Sequence, residues 1–277
     1  MILVDEPAPH IRRITLNRPE KRNAMNATLR KEILDALGRG DDDPGVRVMI
    51  VRGAGPCFSA GYDLNADPDD GTRPAYHSSA GLGAFPREVT EGWMSLWDMA
   101  KPIIAQVHGY CLAGGTELAT GCDLVYVADD ARIGYPAVRF GTPDMQYHAW
   151  LLGMRAAMEF MLTGDALTGV EAVEKGFANR AYPAEELEAR VLEHAQRIAT
   201  IPPDVVQVNK RTVRRAMDVM GMRTGIRSGT ELCTVAMYTE GFAAFMADRE
   251  AGLTAALTKR DAPFGDYRTS HTESGDG

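Results

Sequence analysis

Apolar and polar positions divide the chain into short strands followed by helices. Ile11-Arg12-Arg13-Ile14-Thr15-Leu16 alternates loosely and predicts a strand that stops at the turn cluster Asn17-Arg18-Pro19. Leu29, Ile33, Leu34 and Leu37 recur at helical spacing, with Asn26 or Thr28 as the cap and Gly38 and Gly40 as the stop. Val46–Val51 is β-branched and strand-length, and Gly53-Ala54-Gly55-Pro56 breaks it. Residues 65–87 are polar and rich in Gly and Pro, the composition of a long functional cover or a mobile loop. Val89, Trp93, Leu96, Trp97 and Ala100 form the next helical stripe, with both tryptophans read as core. A buried strand over Pro102–Val107, a glycine loop over Gly109–Gly115, a short helix and a strand over Leu124–Val127 follow. This recurrence predicts an α/β layer architecture. From Leu151 the pattern is almost wholly helical, with a joint at Pro202-Pro203, helices through Val205–Met217 and Leu232–Leu257, and a polar tail after Gly265.

Composition narrows the classes. The chain has 277 residues, 45% hydrophobic and 25% charged, with a net charge of −8. Its Lys and Arg are scattered, whereas a nucleic-acid binder needs a basic face, so no nucleic-acid partner is expected. No run approaches the ~18 apolar residues of a membrane span. Met1-Ile2-Leu3-Val4-Asp5 lacks the basic start of a secretory signal, and the cytoplasm is the expected compartment. Cys57, Cys111, Cys122 and Cys233 form no C-x-x-C pair and lack metal-ligand spacing with the six histidines. They are expected to be reduced core residues, with no metal site.

Two segments carry the candidate chemistry: Cys57-Phe58-Ser59-Ala60-Gly61-Tyr62-Asp63, and His108 through Ala119 with Gly114-Gly115-Thr116-Glu117 at its centre. Each follows a predicted strand, and the second opens a helix. Glycine at such a turn lets backbone N–H groups face a cleft, and at a helix N-terminus those groups carry partial positive charge. Two amides converging on one oxygen stabilise an enolate or oxyanion, each worth ~3 kcal/mol of barrier. Gly115 stands where a P-loop needs lysine, Cys111–Gly115 is not a dinucleotide fingerprint, and Ser59 lies outside G-x-S-x-G.

Four blocks, in order and at matching spacing, resemble the enoyl-CoA hydratase/isomerase (crotonase) family. They are Leu16-Asn17-Arg18-Pro19 through Asn23-Ala24, Phe58 through Leu64, Gly109 through Ala119 with Cys122-Asp123, and Ala172 through Arg180. The resemblance spans most of residues 11–210. It implies the α/β crotonase (ClpP-like) spiral of repeated ββα units over residues 1–200, then a helical oligomerisation region over 201–264. Residues 265–277 are expected to be a disordered tail. It further implies an acyl-CoA thioester as substrate, a trimer or hexamer, and no separate cofactor, since coenzyme A is part of the substrate. The oxyanion-hole amides would be those of Ala60 and Gly114. Glu117 falls on the first of the hydratases' two catalytic glutamates. Acyl-CoA-binding positions would be Lys21, Arg22, Ala24, Gly61, Tyr62, Asp63, Ala137, His148 and Lys259. Asp63 is read as bracing its loop, and Lys21 and Arg22 as either CoA contacts or a solvated turn.

One departure bears on the reaction. The hydratases' second glutamate lies in a G-x-P-E segment that reads Gly134-Tyr135-Pro136-Ala137 here, and alanine transfers no proton. Asp144 is either a replacement acid or the N-cap of the next helix, and His148 either an acid/base or a packed helix residue. Water addition to a 2-enoyl-CoA is the leading expectation. Isomerisation, thioester hydrolysis and binding without turnover are the alternatives, and the acyl preference is assigned to the 65–90 loop and residues near Trp150.

Overall fold

The computed structural model describes residues 1–64, 83–265 and 267. Most of the expected 65–87 cover, and nearly all of the expected tail, therefore lie outside the described residues.

Two β-sheets carry the chain. In the larger, β1 (Ile2–Ala8) pairs antiparallel with β2 (Ile11–Leu16), and β3 (Val48–Gly53), β4 (Ile103–Val107), β6 (Leu124–Ala128) and β9 (Arg180–Tyr182) then add in parallel, in that order. The smaller sheet joins β5 (Tyr110–Leu112), β7 (Arg132–Gly134) and β8 (Leu167–Thr168). β2 falls where its alternation predicted. Ile11, Ile14 and Leu16 are buried, as are Val48 to Val51 and Ile103 to Val107, so the parallel strands are covered on both faces.

Helix α1 (Ala27–Asp42) starts at Asn26, whose side chain accepts the Leu29 amide at 2.9 Å. It runs through Gly38 and Gly40 rather than ending there. Its apolar face lies on the sheet, where a methyl at Gly40 would meet Met49 Sδ at 2.4 Å, so that glycine serves close packing. Helix α2 (Ala84–Ser95) buries Trp93, and a 3-10 turn over Leu96–Asp98 buries Trp97, both in the core as expected. Helix α3 (Gly114–Gly121) is buried along its whole length.

After α4 (His148–Thr163) the chain is less uniformly helical than its pattern suggests: β8 and β9 flank α5 (Gly169–Glu174). A two- or three-residue strand leaves too little alternation to register. α6 (Leu187–Ala199) closes the core, and α7 (Pro203–Val219), α8 (Met222–Ala236), α9 (Glu240–Ala251) and α10 (Leu253–Asp261) follow the Pro202-Pro203 joint. Tyr267, within the expected disordered tail, is buried, and its hydroxyl donates to the Gly164 carbonyl at 2.6 Å. All four cysteines are free and buried. Among the described residues no helix is long and apolar enough to cross a membrane.

Candidate active site

The glycine loops after β3 and β5 meet at the N-terminus of α3. Ser59 bridges to Cys111, with the Ser59 amide donating to Tyr110 O and the Leu112 amide to Ser59 O, both at 3.0 Å. Gly61 has φ +98°, and a methyl there would stand 2.8 Å from Leu112 O and 3.3 Å from the Gly114 nitrogen. Only glycine lets the loops approach so closely.

This geometry corrects one expected residue. The Ala60 amide donates to Arg22 O at 2.9 Å, so it is committed to the first strand's turn and not to the cleft. The Gly61 amide donates to Ser59 Oγ at 3.1 Å and the Asp63 amide to Met25 O at 3.0 Å. Between them, the Tyr62 amide has no acceptor among the described residues. Gly114, first residue of α3, has no acceptor within its helix. Tyr62 and Gly114 thus present, from the two loops, amides with no acceptor among the described residues. Ala113, just before, adopts φ +47°, ψ −118°, a strained backbone for a residue with a Cβ.

Beside these amides lies a cavity of about 490 Å³. Lys21, Arg22 and Ala24 reach it from the β2 turn, Asp63 from the β3 loop, and Ala137 and Asp144 from the chain after β7. Asp63 also pairs with Arg18 at 3.0 Å, the bracing role expected of it. Helices α8 to α10 supply another wall through Cys233, Phe242, Arg249 and Arg260, so the helical region is part of the site and not only an appendage.

Gly61, Gly114, Glu117, His148 and Lys259 do not line the cavity, and the last two are committed elsewhere. Lys259 is exposed and paired with Asp248 at 2.8 Å; α10 turns the neighbouring Arg260 inward instead. His148 is 3% exposed, stacks on Tyr147 with ring centroids 4.0 Å apart, and has no partner for either ring nitrogen among the described residues. Burial pushes its pKa down to about 3, so it is a neutral packed residue. Of the two inward arginines, Arg260 adjoins the expected Lys259, whereas Arg249 was not singled out by the sequence reading and carries no signal beyond its position on a helix whose facing was unknown.

Glu117 is completely buried one turn into α3. Its Oε1 accepts the Tyr135 hydroxyl at 2.6 Å and the Met145 amide at 3.0 Å, and its Oε2 accepts the Tyr62 hydroxyl. Loss of water around the carboxyl, followed by repulsion from Asp144, raises its pKa to about 8 despite those donors. Asp144 is also buried, and burial raises it to about 6, offset in part by the Cys233 thiol and Arg30. It does not cap α4, which begins at His148 with Tyr147 before it and no side-chain cap. Instead its Oδ1 accepts the Cys233 Sγ–H at 3.2 Å, while its carbonyl accepts the hydroxyls of Thr90 at 3.1 Å and Thr230 at 2.7 Å. The site thus pairs one carboxyl that stays protonated near neutrality with one that ionises, the division of labour of an acid and a base.

Residues 7–267 match the family model described as enoyl-CoA hydratase/isomerase. The chain is similar to the crystal structure of an enoyl-CoA hydratase/isomerase from Xanthobacter autotrophicus Py2, at 35% identity and a TM-score of 0.86 over 95% of this chain and 98% of that one. An enoyl-CoA hydratase from Mycobacterium smegmatis superposes with a TM-score of 0.85 at 33% identity, covering 96% and 94%. The mitochondrial enoyl-CoA hydratase of Pongo abelii is 30% identical over 257 residues, 91% of this chain and 83% of that protein.

Proposed function

Since the chain belongs to the enoyl-CoA hydratase/isomerase family, whose members act on acyl-CoA thioesters, we propose that it adds water to a 2-enoyl-CoA through a thioester enolate. The observation that carries this reading is a cavity lined by Tyr62 and Asp144, beside the start of α3 with its unfilled Gly114 amide and a buried Glu117 that reaches the cavity wall through the Tyr62 hydroxyl.

In this reading the thioester oxygen lies between the Tyr62 and Gly114 amides. Negative charge then grows on that oxygen as water adds to Cβ, where preorganised donors act most strongly. Asp144, ionised at neutral pH, takes the proton of the attacking water. It stands in for the hydratases' second glutamate, whose place is the methyl of Ala137. Glu117, still protonated, supplies the proton for Cα. Lys21, Arg22, Arg249 and Arg260 give the cavity mouth positive charge for the CoA phosphates. No resident cofactor is required.

Turnover of crotonyl-CoA, followed as loss of enoyl absorbance, tests this. Glu117→Gln and Asp144→Asn are each expected to lower kcat at least ~10²-fold with little change in acyl-CoA affinity. Wild-type turnover no faster than buffer across short, medium and long chains would replace the hydratase with a binder. The Ala137 methyl is the feature that favours that second reading.

A further inference from the structure

Glu117 contributes no surface to the cavity, and both of its oxygens are covered. Tyr62 does line the cavity, and its ring end stands against the helix start. A methyl on Gly114 would fall 2.5 Å from Tyr62 Cζ and 2.7 Å from both Cε atoms. A thioester held on the Tyr62 and Gly114 amides therefore meets the Tyr62 phenol before it meets any carboxyl oxygen of Glu117.

We propose that the proton exchanged with the substrate α-carbon is carried by the Tyr62 hydroxyl, with Glu117 acting through it. The inference rests on the enolate chemistry proposed above. A phenol oxygen has one proton and two lone pairs. One lone pair takes the Trp93 Nε1–H, at 3.0 Å. When Glu117 is neutral, its Oε2–H donates into the second, and the Tyr62 proton is left for the cavity.

Each bond then has a counterpart. The Tyr62 O–H breaks as the electron pair of the enolate forms Cα–H, and the thioester carbonyl is restored. Glu117 Oε2–H breaks as the phenol O–H re-forms, leaving Glu117 as the carboxylate that both tyrosines and the Met145 amide are placed to hold. The Trp93 N–H stabilises the charge that develops on the phenol oxygen during the transfer. In reverse, the same groups withdraw an α-proton.

Solvent exchange of the α-protons of butyryl-CoA in D₂O, read by proton NMR on the full chain, isolates this step because it needs no hydration. The wild type is expected to exchange them, and Tyr62→Phe to slow exchange by ~10²-fold while butyryl-CoA affinity stays within a few-fold. Exchange by Tyr62→Phe at the wild-type rate, or faster because Glu117 has been uncovered, overturns the relay and leaves the enolate chemistry standing. A wild type that exchanges nothing overturns the enolate chemistry itself. Should Tyr62→Phe fail to fold, 3,5-difluorotyrosine at position 62 retains both hydrogen bonds and acidifies the phenol. A rate that follows fluorination supports the relay, and one indifferent to it overturns it.

Discussion

Burying Glu117 ties the fold's stability to pH with a definite sign. In an unfolded chain the carboxyl titrates near 4.5, and in the folded one near 8. Between those values the unfolded chain has released a proton that the folded chain keeps. The contribution is therefore full below about pH 4.5 and falls as pH rises towards about 8. Asp144 acts in the same sense between 3.8 and about 6. Glutamine at 117 has no proton to lose, so urea unfolding of Glu117→Gln between pH 6 and 8 is expected to show a flatter decline than the wild type. A variant that declines as steeply would mean the proton is not held on Glu117. At this scale the sequence told which residue types were present but not which were occupied. Ala60 and Tyr62 sit two positions apart in one loop, and only the distant Arg22 carbonyl decides which amide is free.

The 3-10 turn over Pro136–Arg139, which carries Ala137, is fastened to the last helix. Arg139, whose side chain is 3% exposed, pairs with Asp261 at 3.1 Å and donates to Thr163 O at 3.0 Å. Removing one partner of a buried pair leaves an uncompensated charge, so Arg139→Met is expected to lower unfolding free energy by about 3 kcal/mol in urea titration. Arg260, which also holds Asp261 at 2.7 Å, softens the loss. A variant as stable as the wild type would show the turn holding itself. Elements with strong periodicity were legible: β2, the start of α1 with Asn26 as one of two candidate caps, and the strand through Ile103–Val107. The end of α1 was misread because its glycines answer to Met49 on a distant strand. β8 and β9 were missed because their partners, not their own composition, make them strands. Lys259 was preferred to Arg260 because sequence gives a helix its spacing but not its facing.

Across the whole molecule, apolar side chains stand exposed on the C-terminal helices: Val208, Val213 and Val219 on α7, and Leu232 and Val235 on α8. We propose that this surface is buried in the homotrimer or hexamer that the sequence resemblance implies, which light scattering behind size exclusion would read directly. Ending the chain after Ala199 strips α7 to α10 and with them a wall of the cavity. That truncation is expected to aggregate and to bind no acyl-CoA, whereas a soluble, active monomer would contradict the assembly and the cavity together. The family was legible in the motifs, and the layered order of the strands followed from it. The resemblance also placed both chain ends at one site, through Lys21, Arg22 and Lys259; which side chains of α9 and α10 close it, Arg249 and Arg260, no local pattern announces. That closure has a consequence for biosynthesis. Lys21 and Arg22 leave the ribosome long before Arg249 and Arg260, and at ~5–20 residues per second the interval is on the order of tens of seconds. Over its last part, once β9 (Arg180–Tyr182) is made, the nascent chain holds every strand of the larger sheet but lacks the cavity wall of α8 to α10, a state in which a chaperone finds its substrate before coenzyme A does.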